Sequence, residues 1–195
     1  KNSNGSLCFI DGGSHIGDHI LKFDSLCRIY CVPNRSIFAI EPLPSTIERL
    51  KKNITHIPHE LIDKALGKEE GVVKFYYKSE GGGGQSSAIK HHYLNAAIDV
   101  EQTTIDALVE KYSLTKIDFL KLDIEGYEYN ALLGAQKTLS KGLIDYIQLE
   151  YNQTWIESGG NIRKVLDLAN THSYKLYRIR KNDLLSIQNY NFNLD

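Results

Sequence analysis

Short apolar runs alternate along this chain with segments whose apolar residues recur at helical spacing, and this alternation limits the possible folds more than any other feature. Short runs rich in apolar residues, such as LCFI, SIFAI and IDFLKL, are typical of strands buried on both faces of a sheet. Because parallel strands need a crossover connection, usually a helix, the alternation predicts an α/β fold. We expect a mostly parallel sheet with helices on both faces, followed by a C-terminal hairpin formed from YKLYRIRK and DLLSIQNY.

Several helices carry local start or stop signals in the sequence. Ser45 followed by Glu48 has the spacing of a capping box at the start of a helix. A later helix is predicted to begin near Thr104, and Gly142 is predicted to end another. The first helix is expected to bury four apolar side chains on one face: Ile20, Leu21, Phe23 and Leu26.

The composition is that of an ordinary globular protein. The chain has 195 residues, of which 42% are hydrophobic and 24% charged, with a formal net charge of -1. These values predict a single domain over residues 1–195 with a substantial core. Nucleic-acid binders usually carry a basic surplus, and a membrane span needs about 20 apolar residues, so we expect neither kind of partner. These features leave the oligomeric state open.

The cysteines indicate the redox compartment. Cys8, Cys27 and Cys31 are odd in number and contain no CxxC pair, which argues against a disulfide framework or a thiolate metal site. Reduced thiols are typical of the cytoplasm, so we expect a cytoplasmic protein.

A glycine-rich turn, DGGSHIG, follows the first predicted strand. In open parallel sheets, ligands bind beyond the carboxyl ends of the strands, where the strand order reverses. The frame Gly12, Ser14, Gly17 has serine where a dinucleotide fingerprint has its second glycine. The frame Asp11, Gly13, Gly17 fits better, and it suits S-adenosylmethionine, whose ammonium and carboxylate groups need an acid and exposed backbone N–H groups. The structural alternative is a tight turn without a ligand.

An acid, Glu41, ends the second predicted strand. A carboxylate in this place can accept hydrogen bonds from both ribose hydroxyls, as it does in NAD sites and in S-adenosylmethionine sites. Glu41 therefore indicates an adenosine-type ligand without choosing between these cofactors. A solvated strand end is the structural alternative.

Several stretches, taken in order from about Cys8 to Asn152, resemble the FkbM family of S-adenosylmethionine-dependent methyltransferases. They include FIDGGSHIG, IFAIEPLPSTIERLKKNI, IDKALGKEEGVVKFYY, DYIQLEYN and the most specific block, KLDIEGYEYNALLGA. The resemblance implies a Rossmann-like class I methyltransferase fold, S-adenosylmethionine as cofactor, and usually O-methylation of a sugar or natural product. The expected partner is therefore a small-molecule or glycan acceptor.

The resemblance also implies cofactor contacts at the residues that match the family motifs. Glu41 matches the ribose-binding acid, and Asp63 falls where such enzymes hold the adenine amino group. Ser86 and Ser87 match a serine pair near the cofactor, and His15 replaces a more usual asparagine. The predicted cofactor-binding residues are Asp11, Gly12, Gly13, Ser14, His15, Gly17, Glu41, Pro42, Asp63, Ser87 and Asp123.

Asp123, at the end of the IDFLKL strand, is the predicted catalytic residue. An alcohol loses its proton as it attacks a methyl group, and a carboxylate can take that proton or hold the nucleophile. Asp123 could instead bind the methionyl amine or cap the next helix. We expect Glu125 and Glu128 to begin that helix, where carboxylates stabilise the dipole. Lys121 is expected to form an ion pair with Glu150.

Other residues are second choices for chemistry. His91 and His92 could serve as bases, and Gly81–Gly84 could form a mobile flap rather than a plain loop. The oxygen ligands of Asp123, Glu150 and Asn152 could hold Mg²⁺, but we favour a pocket without a metal. Tyr151 and Trp155 could line the acceptor pocket or belong to the core.

Two other functions compete with methyl transfer. A dinucleotide-dependent oxidoreductase is weakened by the missing second glycine and by the lack of a Tyr-x-x-x-Lys pair. A non-catalytic binding domain on the same scaffold is the other alternative, since a fold does not establish activity.

Overall fold

The computed structural model of the protein describes residues 6–79, 86–90, 92, 94–152 and 154–190. Its strands are β1 Leu7–Gly12, β2 Arg35–Ile40, β3 Glu60–Ile62, β4 Ala65–Leu66, β5 Gly71–Tyr77, β6 Ser86–Ser87, β7 Ala96–Thr103, β8 Ile117–Leu122, β9 Ile144–Leu149, β10 Leu176–Ile179 and β11 Leu184–Ile187. Its helices are α1 Asp18–Ile29, α2 Pro44–Ile54, α3 Ile105–Lys111, α4 Glu128–Leu133, α5 Gln136–Ser140, α6 Thr154–Glu157 and α7 Ile162–Thr171.

The central sheet has five strands in the order β3-β2-β1-β8-β9, and every neighbouring pair is parallel. The chain first moves outward from β1 to β3 and then returns to place β8 on the other side of β1. The strand order therefore reverses between β1 and β8, and the carboxyl ends of these two strands frame a crevice. This sheet and the flanking helices confirm the predicted Rossmann-like architecture.

Each face of the central sheet buries its own core, because successive side chains of a strand point to opposite faces. Ile10 belongs to a cluster that includes residues of α3, α4, α5 and α7, whereas Phe9 packs with Ile20 of α1 and Leu50 of α2. Burial on both faces explains why the sequences of the central strands are rich in apolar residues. Trp155 is fully buried in the first cluster, so it is a core residue and not a pocket wall.

A second sheet has the order β4-β7-β5-β6 and mixes parallel with antiparallel pairs. The sequence predicted strands at β5 and β7 but not that they form a sheet of their own. Phe75 and Val100 of this sheet pack with Ala65 of β4 and with Leu43, which lies between β2 and α2.

The predicted C-terminal hairpin is confirmed, since β10 and β11 pair antiparallel.

Two predictions about helix ends and faces are wrong. Ser45 does not cap α2, which begins at Pro44 after Leu43 and has no side-chain cap. Proline is favoured in this first turn because its φ is already helical and it lacks the N–H that would go unpaired. Leu26 of α1 is 44% exposed, and the buried position on that face is held by Asp24.

The segment after β8 was predicted to form one helix, but it breaks into α4 and α5 around Gly134. A Cβ at Gly134 would lie 2.1 Å from the Gly67 carbonyl oxygen, so the break occurs at a close backbone approach. The other boundaries agree with prediction: Thr104 caps α3, and Gly142 adopts φ 62 just past α5.

The helices of the described residues are all too short or too polar to cross a membrane. Cys8 and Cys27 are buried, Cys31 is exposed, and all three are free thiols. The Gly81–Gly84 segment and His91, both proposed above for function, lie outside the described residues.

Candidate active site

The glycine turn after β1 is fastened to the end of β2. The backbone N–H groups of Gly13 and Ser14 both donate to the Ile40 carbonyl oxygen at 3.0 Å. The Ser14 hydroxyl donates to the Asp11 carbonyl oxygen at 2.8 Å and accepts from the Ile40 N–H at 3.0 Å. Ser14 is 4% exposed, so its hydroxyl is a structural bridge between the two strand ends.

Two positions in this turn require glycine. Gly13 has φ 81, and a Cβ there would lie 1.9 Å from the carbonyl oxygen of Asp123. Gly17 has φ 92, and a Cβ there would lie 2.7 Å from a methyl group of Ile54. The turn therefore packs directly against the end of β8 and against α2, which holds the strand ends close together.

Glu41 is buried at the carboxyl end of β2, with 4% of its surface exposed. One carboxylate oxygen accepts from the Leu43 N–H at 3.0 Å and the other from the His15 N–H at 3.1 Å. Burial raises the pKa of Glu41 to about 7, because the two backbone N–H groups offset only part of the lost hydration. Glu41 is thus poised to accept further hydrogen bonds, which would stabilise its charge.

Asp11 and Lys121 form a buried charged pair at the centre of the sheet, where Asp11 is 0% and Lys121 4% exposed. Lys121 Nζ lies 3.8 Å from Asp11 Oδ1, and neither Asp11 oxygen has a hydrogen bond among the described residues. The nearby Ser14 hydroxyl cannot supply one, since its proton goes to the Asp11 main-chain carbonyl. Burial raises the pKa of Asp11 to about 6, although Lys121 opposes the shift.

The predicted ion pair between Lys121 and Glu150 is wrong. Lys121 Nζ instead lies 2.8 Å from Asp123 Oδ2. The strand register explains the difference, because Lys121 stands opposite Asp11 on β1 and opposite Gln148 on β9. Glu150 lies past the end of β9, two positions further along the chain.

Asp123 and Glu150 are hydrogen-bonded to each other through their carboxyl groups. Burial opposes ionisation of Asp123, but the hydrogen bonds from Glu150 and Lys121 outweigh burial and lower its pKa. The hydrogen bond to Asp123, together with burial, raises the pKa of Glu150 to about 7. The two carboxyl groups therefore share one proton near neutral pH, and Glu150 is the group that carries it.

The two acids that follow Asp123 have different environments. Glu128 is the first residue of α4, and it accepts from the Ile124 N–H at 2.8 Å, which confirms its predicted role at the helix start. Burial raises the pKa of Glu128 to about 7. Glu125 precedes the helix rather than beginning it, with φ 53, and its carbonyl accepts from the Ser87 hydroxyl at 2.8 Å.

A cleft opens at this edge of the central sheet, between the strand ends and the second sheet. Among the predicted site residues, those lining the cleft are Gly13, His15, Glu41, Pro42 and Asp123. Ser86, of the serine pair expected near the cofactor, also lines it. Further lining residues were not assigned to the cofactor from the sequence: Ile40, Lys64, Ala65, Leu66, Phe75, Ala88, Ile124, Glu125 and Tyr127. Tyr127 lies within the block KLDIEGYEYNALLGA, shortly after the end of β8, and this position could have identified it as a cleft residue.

The remaining predicted site residues lie around the cleft rather than on its wall. Asp63 is exposed after β3, at the same edge of the sheet. Ser87 is fully buried, and its hydroxyl also accepts from the Ile89 N–H at 3.0 Å, while its neighbour Ser86 faces the cleft. Asp11 is enclosed within the protein.

The oxygen ligands considered for Mg²⁺ are engaged in other contacts. Asn152 Oδ1 accepts from both the N–H and the hydroxyl of Thr154, at the start of α6. Asp123 Oδ2 is paired with Lys121. Within the described part of the chain, no group of three or more His, Cys, Asp or Glu side chains could hold a metal ion.

Comparison with known proteins identifies relatives of this chain. It is 27% identical over 131 residues to the hexuronic acid methyltransferase AglP of Haloferax volcanii, covering 66% of this chain and 50% of that protein. It is 26% identical over 153 residues to the 2-O-methyltransferase NoeI of Sinorhizobium fredii, covering 70% of this chain and 62% of that protein. The chain thus spans between half and two thirds of the length of these relatives. No solved structure gives a significant match.

A family comparison covers most of the chain. Residues 11–179 match the methyltransferase FkbM domain, a range that contains the glycine turn, Glu41, Asp123 and Glu150. The match favours methyl transfer over the dinucleotide-dependent oxidoreductase, in agreement with the serine that replaces the second glycine. The chain belongs to the FkbM methyltransferase family.

Proposed function

We propose that this protein transfers a methyl group from S-adenosylmethionine to a hydroxyl group of a sugar or another small molecule. The observation that carries the proposal is the meeting of the glycine turn, Glu41 and Asp123 around one cleft at the switch point of a parallel sheet. Membership of the FkbM family supports methyl transfer. The names of the two relatives, a hexuronic acid methyltransferase and a 2-O-methyltransferase, support a sugar hydroxyl as acceptor.

The residues at the cleft fit the adenosine part of this cofactor. Each oxygen of Glu41 accepts one backbone N–H and retains a second lone pair, so the carboxylate can also accept from two ribose hydroxyls. His15 and Pro42 lie beside Glu41 on the cleft wall. Asp63, at the end of the neighbouring β3, is our candidate for the adenine amino group.

The residues at the end of β1 fit the charged methionyl part. The buried Asp11 carboxylate lacks hydrogen bonds among the described residues, and an incoming ammonium group would stabilise its ionised form. Gly13 lines the cleft, and its missing side chain lets this part of the backbone lie directly against the Asp123 carbonyl at the end of β8. The buried Ser14 hydroxyl maintains this arrangement through its hydrogen bonds to the ends of β1 and β2.

S-Adenosylmethionine supplies, when bound, a methyl group on a positively charged sulfur that is a good leaving group. The protein must align the acceptor with that methyl group and remove the hydroxyl proton, and alignment alone can supply several kcal/mol. Asp123 lines the cleft, and Lys121 keeps its carboxylate ionised, so it can accept a hydrogen bond from the acceptor hydroxyl. Tyr127 and Phe75 supply aromatic side chains to the wall of the same cleft.

A binding measurement followed by a transfer measurement tests the proposal. Isothermal titration with S-adenosylhomocysteine should show binding, whereas NAD should show none. Incubation with isotopically labelled S-adenosylmethionine and a panel of free sugars, uronic acids and glycosides should then yield a labelled methyl ether. Binding of NAD in place of S-adenosylhomocysteine would contradict the proposal. Binding without transfer to any acceptor would favour the non-catalytic alternative.

A further inference from the structure

Four charged side chains form a line from the core to the surface across three neighbouring strands. Asp11 on β1 is 0% exposed, and Lys121 on β8 is 4% exposed. The Asp123 side chain is 31% exposed, and Glu150 after β9 is exposed. Lys121 contacts both Asp11 and Asp123, and Asp123 is hydrogen-bonded to Glu150. The line therefore connects the cleft with bulk solvent.

The backbone brings the two carboxyl groups at the outer end of this line together. Leu122 and Leu149 are paired in the β8–β9 register, so Asp123 and Glu150 are the next residues on neighbouring strands. The Glu150 N–H donates to the Leu122 carbonyl at 3.0 Å, and the Glu150 carbonyl accepts from the indole N–H of Trp155 at 2.9 Å. Trp155 is fully buried, so the main chain of Glu150 is held on both sides.

We propose that Glu150 receives the acceptor's hydroxyl proton through Asp123, so that the pair, and not Asp123 alone, is the base of the reaction. The inference rests on the proposed O-methyl transfer and specifies how the site handles its proton. Asp123 lines the cleft and contacts the acceptor. Glu150 is a positioning residue that acts through Asp123 and releases the proton to solvent.

The proton transfer balances without a further reactant. The acceptor oxygen forms the new C–O bond, the C–S bond of the donor breaks, and its electron pair remains on sulfur. The hydroxyl proton moves to Asp123 as the O–H bond breaks, then to Glu150 across their shared hydrogen bond, and finally to water. The net products are the methyl ether, S-adenosylhomocysteine and one proton.

The surroundings of the pair explain why the proton ends on Glu150. Lys121 stabilises the ionised form of Asp123, which makes Asp123 alone a weak base. Among the described residues no cation forms an ion pair with Glu150, and nearby acids raise its pKa further. The titratable and charged groups that face the pair are Lys121, Asp11 and His19 on the Asp123 side, and Glu125 and Glu128 on the Glu150 side.

The proposal sets the direction of the pH dependence. The pair can accept a proton only when both carboxyl groups are ionised, so kcat should rise with pH until Glu150 is ionised, near pH 7. Glu128, whose pKa burial raises to about 7, becomes more negative over the same range and maintains the basicity of Glu150. His19, whose pKa burial lowers, is neutral in the upper part of this range.

The test compares the pH profile of methyl transfer in the wild type and in Glu150→Gln. The glutamine can still donate a hydrogen bond to Asp123, but it cannot take up a proton. We expect kcat to fall roughly 10²–10⁴-fold and the acidic limb of the profile near neutral pH to disappear. The affinity of Glu150→Gln for S-adenosylhomocysteine should equal that of the wild type. Glu150→Asp should restore part of the rate of methyl transfer. Glu48→Gln, on the exposed face of α2, serves as the matched control.

A titration without substrate gives a second readout. In protein labelled at the glutamate carboxyl carbons, the Glu150 NMR signal should titrate near pH 7 in the wild type and at lower pH in Asp123→Asn. If the wild type transfers methyl groups and Glu150→Gln has the same kcat and pH profile, the proton route through Glu150 is overturned, whereas the proposed function stands. Absence of transfer by the wild type with any acceptor would instead overturn the proposed function.

Discussion

Glu41 accepts a hydrogen bond from the backbone N–H of His15 at 3.1 Å, so the acid that ends β2 also holds the glycine turn that follows β1. A second bond, from the Leu43 N–H at 3.0 Å, ties the same carboxylate to the start of α2. The proposed ribose acid is therefore a structural link between three segments. Changes at Glu41 should affect both ligand affinity and the position of the turn.

Glu41→Gln should weaken S-adenosylhomocysteine binding by about 1.5–3 kcal/mol, because a neutral amide accepts ribose hydroxyls less strongly than a carboxylate does. Wild-type affinity should also fall as the pH drops below about 7, since Glu41 then becomes protonated. Isothermal titration over a pH series measures both effects. Equal affinity in the wild type and a folded Glu41→Gln would remove Glu41 from the binding site.

Asp123→Asn should lower the rate of methyl transfer roughly 10²–10⁴-fold, because the amide can neither take the hydroxyl proton nor pass it to Glu150. Cofactor affinity should fall much less, since Asp11 and Glu41 remain in place. Single-turnover rates and S-adenosylhomocysteine affinities distinguish the roles. A parallel loss of affinity and rate would assign Asp123 to the methionyl amine instead.

The ligand-free protein should lose stability as the pH rises from about 4.5 to about 7. Asp11, Glu41, Glu128 and Glu150 all have a folded-state pKa above the ordinary value, so the folded chain holds more protons than the unfolded chain in this window. The free energy of unfolding therefore decreases with pH. The lowered pKa of His19 makes the free energy of unfolding increase with pH, but this is the contribution of one group, and the four carboxyl groups outweigh it.

Urea unfolding at a series of pH values measures this dependence. Carboxyl groups whose pKa is lowered oppose this slope only near the lower end of the window, where they are still partly protonated in the unfolded chain, and they are ionised in both states above it. Glu128→Gln should flatten the slope, because it removes one of the four groups while retaining an acceptor for the Ile124 N–H. A free energy of unfolding that increases over this window would contradict the assigned protonation states.

Gly13→Ala should destabilise the fold more than Gly159→Ala, although both glycines have similar positive φ values of 81 and 77. A side chain at Gly159 meets no atom of the described residues within 4 Å, so its cost is the backbone strain alone, about 1–2 kcal/mol. At Gly13 the Cβ would lie 1.9 Å from the Asp123 carbonyl oxygen, which forces the turn or the β8 end to move. Thermal unfolding compares the two, and equal losses would show that the turn can move away from β8.

Much of the central sheet could be predicted from the sequence because its signals are local. The apolar runs of β1, β2, β8 and β9 and the helical spacing between them imply parallel strands with crossovers. The glycines and Glu41 follow strand ends, and strand ends of a parallel sheet meet at one edge. These local signals predict that Gly13, Glu41 and Asp123 lie close together, and all three line the cleft.

The second sheet and its contribution to the cleft could not be predicted in this way. The strand patterns of β5 and β7 are visible in the sequence, but the partner of a strand depends on long-range contacts. The alternation of polar and apolar side chains along a strand shows which face is buried, but it does not indicate which sheet the strand joins. The contribution of Phe75 to the cleft is therefore seen only in the folded chain.

The sequence by itself determined the alternation of strands and helices and the acids at the strand ends, because both follow from residue type and local spacing, and its motifs carried the resemblance to the family. Only the tertiary structure decided which of these acids pair. The parallel register places Lys121 opposite Asp11 and leaves Glu150 one position beyond the last pair of β8 and β9, beside Asp123. A register is set by packing across the whole sheet, so the shared proton of Asp123 and Glu150 has no local signal in the sequence.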